Sequence, residues 1–137
     1  MSIPELIESS FTLTRHLTNV SYSDAVDRVT AALATEGFGV LTEIDVKATM
    51  KKKLDKDERP FVILGSCKPP LAYQALSALP AISLLLPCNV VVAENDDKSV
   101  TVGIIDPVAL FAVVGRDDLT PVAQEAQEML TRVLDLL

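Results

Sequence analysis

Two cysteines are the side chains with the clearest capacity for chemistry in this 137-residue chain. Cys67 stands directly before Lys68 and two prolines, and Cys88 follows Pro87, with twenty residues between the two thiols. A neighbouring ammonium and a helix N-terminus both lower the pKa of a thiol, so Cys67 is a candidate nucleophile. The alternative is that both thiols fill the core, where free cysteine is commonly buried.

Cys67 and Cys88 are also candidate metal ligands. A tetrahedral zinc site needs four ligands, and the chain offers two cysteines and one distant histidine, His16. A metal site would therefore need a dimer to double the ligand set. His16 lies among threonines with no visible orienting group, which favours a surface position over catalysis. The sequence identifies no cofactor.

A charged trio is predicted where a strand meets a helix. It consists of Glu43, Asp45 and Lys47. Paired carboxylates of this kind can transfer protons or bind a hard cation. The simpler interpretation is that Asp45 caps the following helix while Glu43 is solvated.

Three more polar residues complete the set of candidate ligand-binding positions. Lys68 and Asn89 each follow one of the cysteines, and Asp106 precedes Pro107. Asp106 has the same capping explanation as Asp45, because proline suits the first position of a helix.

Composition excludes several classes of partner. The net charge of −7 disfavours binding to a nucleic-acid backbone or to an anionic membrane surface. The N-terminal segment has no cationic region, and the longest apolar stretch, 81–93, is too short for a bilayer. Two cysteines do not make a disulfide framework, so we expect a cytoplasmic protein with free thiols.

Short strands and helices alternate along the chain and must position these residues. Strands are predicted over 11–20, 38–46, 61–68, 88–94 and 98–105, and helices over 21–36, 47–54, 69–79, 107–114 and 120–137. Residues 81–86 are ambiguous between a helical turn and an extended piece. The hairpin turn Asn95-Asp96-Asp97 predicts antiparallel pairing. The expected fold is α+β, with a mainly antiparallel sheet of about five strands, helices on one face, and one domain over 1–137.

Two local expectations concern strand faces and helix starts. Alternation within the second strand places Phe38, Val40, Ile44 and Val46 on one face, opposite the carboxylates. Thr120-Pro121 is predicted to begin the last helix as an N-cap followed by proline.

Several blocks in order resemble a known bacterial and archaeal family, the domain of unknown function 302. They are GFGVLTEIDVK (37–47), VILGSCKPPLA (62–72) and LPCNVVV (86–92), with Asp106-Pro107 downstream. The resemblance implies a single copy of a TATA-binding-protein-like α+β fold with extra helices, and a homodimer. It supplies no catalytic residues. Because this chain is acidic, the fold analogy does not bring DNA binding with it.

These observations support three hypotheses about function. The first is a non-enzymatic, cytoplasmic homodimer that binds a small molecule or a metal near Cys67 and Cys88. The second is a thiol enzyme or redox sensor that uses Cys67. The third is a structural or interaction domain without a site, and the sequence leaves the ligand open in every case.

Overall fold

One antiparallel sheet of five strands forms the centre of the computed structural model, which describes residues 2–137. The strands are β1 (Thr12–Leu17), β2 (Gly39–Asp45), β3 (Phe61–Cys67), β4 (Cys88–Glu94) and β5 (Val100–Ile105). Their spatial order is β1-β5-β4-β3-β2, and every neighbouring pair is antiparallel. The predicted α+β class and the antiparallel five-stranded sheet are confirmed.

Five α-helices and two 3₁₀ segments accompany the sheet, and the last two helices follow the last strand. The helices are α1 (Tyr22–Thr35), α2 (Val46–Leu54), α3 (Pro69–Ala78), α4 (Pro107–Ala112) and α5 (Thr120–Asp135). The 3₁₀ segments are Pro80–Leu85 and Asp117–Leu119, and the first of them resolves the ambiguous stretch 81–86. Within residues 2–137, none of the helices has the length and apolar character that a membrane crossing requires.

The main core lies between one face of the sheet and helices α1 and α5. Strand residues alternate between faces, so Val62 and Leu64 of β3 point to the helices and are almost completely buried. Val29 and Leu33 of α1 meet them from the helical side. The helix begins as predicted, because the Ser21 side chain accepts a hydrogen bond from the Asp24 amide at 3.1 Å.

The predicted face assignment in β2 is wrong, and the reason is an irregularity in the register. Val40 pairs with Ser66 and Thr42 pairs with Gly65, so one residue is inserted between these two pairs. The insertion reverses the alternation, and Ile44 therefore lies on the opposite face of the sheet from Val40. Periodicity within a single strand cannot reveal such a bulge.

The predicted capping role of Thr120 is also wrong. Thr120 is the first residue of α5, and Leu119 occupies the N-cap position without a side-chain hydrogen bond. The 3₁₀ segment Asp117–Leu119 leads directly into the helix, so no extended residue remains there to act as a cap.

The second face of the sheet is partly covered by the N-terminal arm, residues 3–9. Leu6 lies over Gly103, where a Cβ atom would come within 2.8 Å of a Leu6 methyl group. Arg59 holds the arm by donating to the Ile3 carbonyl at 2.5 Å and to the Glu5 carboxylate at 3.4 Å.

A second apolar cluster lies where helices α3, α4 and α5 meet the first 3₁₀ segment. Its buried members are Leu71, Ala75, Ile82, Phe111, Leu119, Val122, Ala123 and Ala126. The division of the interior into two clusters matters for function, because the second cluster is not completely filled.

Candidate ligand-binding cavity

A cavity of about 280 Å³ lies between the sheet and the second apolar cluster. Helix α3 supplies one wall with Leu71, Ala72, Ala75 and Leu76. These residues repeat at helical spacing, so a single face of α3 is turned to the cavity.

The remaining walls come from three other parts of the chain. Helices α4 and α5 contribute Pro107, Phe111, Val122 and Ala126. The first 3₁₀ segment and the turn after it contribute Ser83, Leu86 and Pro87. The sheet and its flanks contribute Phe38, Leu41, Ser66, Cys67, Lys68 and Cys88. Nearly all of these side chains are apolar. Leu41 and Ser83 are exposed and form part of the rim.

The one buried hydroxyl of the wall already has a hydrogen-bond acceptor within the protein. Ser66 is completely buried, and its Oγ donates a hydrogen bond of 2.8 Å to the main-chain carbonyl of Cys88. A buried polar group that is satisfied in this way does not need a ligand as partner. The cavity surface beside it therefore remains apolar.

Both cysteines line the cavity as free thiols. Ser66, and not Cys67, pairs with Cys88 across the two strands, so the two cysteines are offset by one residue in the register. Burial raises the pKa of Cys67, and burial together with the Cys67 thiol raises the pKa of Cys88 to about 11. Both shifts favour the neutral thiol over the thiolate that a nucleophilic Cys67 would need.

The Lys68 ammonium is hydrogen-bonded to groups other than the Cys67 thiol. Its Nζ donates to the Glu36 carbonyl at 2.9 Å and to the Met129 sulfur at 3.4 Å. The side chain thereby connects the end of β3 to the C-terminus of α1 and to α5.

The charged trio Glu43, Asp45 and Lys47 lies away from the cysteines. Gly39 of β2 pairs with Cys67, whereas Asp45 pairs with Val62 at the other end of β3. The Asp45 carboxylate caps α2 by accepting from the Ala48 amide at 2.9 Å, and Glu43 and Lys47 are exposed.

The last two candidate positions flank the cavity without lining it. Asp106 caps α4, accepting from the Val108 amide at 2.9 Å and from the Gln127 side chain at 3.0 Å. Asn89 is exposed and pairs with Gly65 on β3. The structure thus brings Cys67, Lys68 and Cys88 together around one cavity, while Asn89 and Asp106 lie beside it.

The described residues do not assemble a cluster of metal ligands. Across residues 2–137, no three His, Cys, Asp or Glu side chains lie close enough to hold an ion. His16 is exposed on β1, an edge strand, and both β5 and β4 separate it from Cys67 on β3.

The apolar walls are the part of the site that sequence reasoning missed. The helical stripe of α3 was readable, but the same stripe is expected for any helix packed on a core. Leu41, Phe111 and Ala126 are far apart in the chain, and nothing in their spacing indicates that they enclose a common space.

Comparison with known proteins identifies the family of the chain. No curated protein matches the sequence. The crystal structure of an uncharacterized conserved protein DUF302 from Bacillus stearothermophilus is similar, with a TM-score of 0.86 and 26% sequence identity; the match covers 93% of this chain and 98% of that chain. The model of the family described as Domain of unknown function DUF302 matches residues 13–137. Since that match covers nearly the whole sequence, the chain belongs to the DUF302 family.

Proposed function

We propose that this protein binds a small, largely apolar molecule in the cavity between α3, α5 and the end of β3. The observation that carries this proposal is the 280 Å³ volume lined by apolar walls. Protein interiors are close-packed and leave few voids larger than one water molecule. A cavity of this size is close to the lower end of the range for small-molecule sites.

The volume sets the size of the ligand. A water molecule takes up about 30 Å³ in the liquid, so the cavity has room for a ligand of about ten non-hydrogen atoms. Apolar walls favour a hydrocarbon chain or a small ring, because burial of apolar surface drives its association.

Binding accounts for the site better than catalysis does. Both thiols have raised pKa values, and the Ser66 hydroxyl donates to a main-chain carbonyl. An activated thiol nucleophile would have a lowered pKa and a base within hydrogen-bonding reach, and burial shifts the pKa of both thiols the other way. The proposal therefore assigns no covalent step to Cys67 or Cys88.

Titration calorimetry with 1-octanol tests this proposal. The wild-type protein should bind about one equivalent of the alcohol. Ala75→Leu adds a larger side chain at a position that is 1% exposed and lines the cavity, and it should abolish the heat of binding. Ala34→Leu makes the same exchange at an exposed position of α1 and should bind as the wild type does.

Two results would count against the site. Saturable binding that is unchanged in Ala75→Leu would place the ligand elsewhere. No binding of 1-octanol by the wild type at its solubility limit would remove the main support for the proposal. Thermal unfolding of both variants checks that Ala75→Leu has not simply disrupted the fold.

We also propose that the protein is cytoplasmic and forms a homodimer. The acidic composition and the free thiols support the compartment. The family resemblance supports the dimer, as do the exposed Leu41 and Ile44 on β2, an edge strand whose outer main-chain groups have no strand partner in the sheet. Sedimentation velocity at micromolar concentration is the test, and a monomeric coefficient would refute the dimer.

A further inference from the structure

The cavity opens to solvent beside the edge strand β2. Among the described residues that line it, two are exposed, Leu41 on β2 and Ser83 on the first 3₁₀ segment. Ala75 of α3 and Val122 of α5 also line it and are almost completely buried. A ligand in the cavity would therefore be surrounded by helix residues at its inner end and would reach solvent near Leu41 and Ser83.

Leu41 is the exposed apolar side chain of this opening. It is 67% exposed, whereas its neighbour Val40 is partly buried against the main core. Single exposed leucines are common on protein surfaces and need no function of their own. Leu41 differs from the other exposed large apolar side chains of residues 2–137, because none of those lines the cavity.

The bulge in β2 accounts for the position of Leu41. Val40 points to the helical side of the sheet, so strict alternation would turn Leu41 to the face on which the N-terminal arm lies. The register shifts between Val40 and Thr42, and Leu41 is the residue inserted there. Bulges re-aim side chains and are frequent beside active sites. Here the inserted residue lines a cavity together with residues of α3, α4 and α5.

We propose that Leu41 is the lid of the cavity: its side chain covers the outer end of the bound ligand and loses much of its exposure on binding. This inference rests on the proposed function, since it identifies the residue that closes that site. Contact between an apolar side chain and an apolar ligand contributes to affinity in proportion to the area that both remove from water.

Titration calorimetry of Leu41→Ala with 1-octanol measures this contribution. The variant should bind at least about fivefold more weakly than the wild type, because the contact area of the side chain is lost. Its stability should change little, since the side chain is exposed. Leu84→Ala is the matched control: Leu84 follows Ser83, is 87% exposed and does not line the cavity, so its removal should leave the affinity unchanged.

A fluorescence measurement follows the burial of the lid position itself. The sequence contains no tryptophan, so Leu41→Trp introduces a single indole at the opening. Addition of 1-octanol should shift its emission to shorter wavelength as the indole leaves water. Ile44→Trp places an indole at an exposed position of the same strand that does not line the cavity, and its emission should not shift. If the indole at position 41 itself blocks binding, the affinity of Leu41→Ala decides the question.

The outcomes distinguish the lid from the dimer surface and from the proposed function. Sedimentation velocity of Leu41→Ala should match that of the wild type; loss of both dimer and affinity would mean that Leu41 acts through the interface, and the lid assignment would fail. Unchanged affinity of Leu41→Ala, or an emission of Leu41→Trp that stays constant while 1-octanol binds, would overturn the lid and leave the apolar site. Failure of the wild type to bind 1-octanol would overturn both.

Discussion

Ser66 and Cys88 are joined by a hydrogen bond of 2.8 Å from the serine Oγ to the cysteine carbonyl, in addition to their pairing across β3 and β4. The bond lies at the end of the sheet, where the two strands form part of the cavity wall. It joins the two strand ends and gives the Ser66 hydroxyl an acceptor within the protein. The hydrogen bond thereby satisfies the one buried hydroxyl among the residues that line the cavity.

Replacement of Ser66 by alanine tests this role. Ser66→Ala removes a completely buried donor, and we expect the free energy of unfolding to fall by about 1–2 kcal/mol. Urea denaturation followed by circular dichroism measures the change. Ser83→Ala is the matched control, because Ser83 lines the same cavity but is exposed, and it should change stability by less than about 0.5 kcal/mol. Equal stabilities of the two variants would show that the bond has no such role.

The sequence predicted the architecture well because each element carries its own local signal. Ser21 and Gly37 bound α1, Asp45 caps α2, and Asp106-Pro107 begins α4, as their residue types require. The errors occur where one element depends on another. The β2 bulge is defined by its register against β3, and the start of α5 is set by the 3₁₀ segment before it.

The cavity was only partly predictable for the same reason. Cys67 lies where β3 ends and Cys88 where β4 begins, and the antiparallel pairing of these two strands, which the sequence left open, brings them to one end of the sheet. The empty volume beside them depends on how the faces of α3, α4 and α5 fit together. Packing of this kind involves side-chain shape and not periodicity, so the pattern of apolar residues does not report it.

The raised pKa of Cys88 predicts a loss of stability in alkali. In the unfolded chain this thiol ionises near pH 9, but in the folded protein it ionises near pH 11. The folded state therefore retains the proton between these values. Stability is unaffected by this thiol below pH 9. As the pH rises to 11, ionisation of the unfolded chain alone lowers the free energy of unfolding by about 2–3 kcal/mol. Denaturation of the wild type and of Cys88→Ala across this pH range measures the loss. The free energy of unfolding should fall less steeply with pH in the variant, and parallel plots of the two proteins would contradict the prediction.

The same shifts predict slow alkylation of both thiols in the native protein. Cys88 should react with iodoacetamide at pH 8 at least about 100-fold more slowly than after unfolding, because little of it is thiolate at that pH. Cys67→Ala reports on Cys88 alone, and Cys88→Ala reports on Cys67. If Cys67 in the folded protein reacts faster than a free small thiol, the hypothesis of a nucleophilic cysteine regains support.

Gly65 is predicted to tolerate no side chain. A Cβ atom at this position would collide with the Thr42 hydroxyl and would come within 2.8 Å of the Pro87 ring. Gly65→Ala should therefore lower the free energy of unfolding by about 1–3 kcal/mol. Gly39→Ala is the control, since a Cβ atom there meets nothing within 4 Å, and its effect should be below about 0.5 kcal/mol.

A double variant tests the cause of that loss. Thr42→Ala removes the hydroxyl that the new Cβ would meet, so it should restore part of the stability lost in Gly65→Ala. Pro87 remains in place, and the recovery should be incomplete. Strictly additive effects of the two substitutions in urea denaturation would show that Thr42 is not the obstacle.

The N-terminal arm is predicted to depend on Arg59. Its guanidinium donates to the Ile3 carbonyl and to Glu5, and the Glu5 carboxylate accepts from the Asp96 amide at 2.8 Å. Because the Arg59 side chain is only 21% exposed, these bonds are partly shielded from water, and Arg59→Ala should cost about 1 kcal/mol. Hydrogen exchange at the Ile3 and Asp96 amides should become faster as the arm detaches.

Lys51→Ala is the control for this prediction. It also removes two ion pairs, but these are exposed, so it should change stability little and leave exchange in the arm unaltered. Unchanged exchange in Arg59→Ala would mean that the packing of Leu6 over Gly103 is sufficient to hold the arm in place.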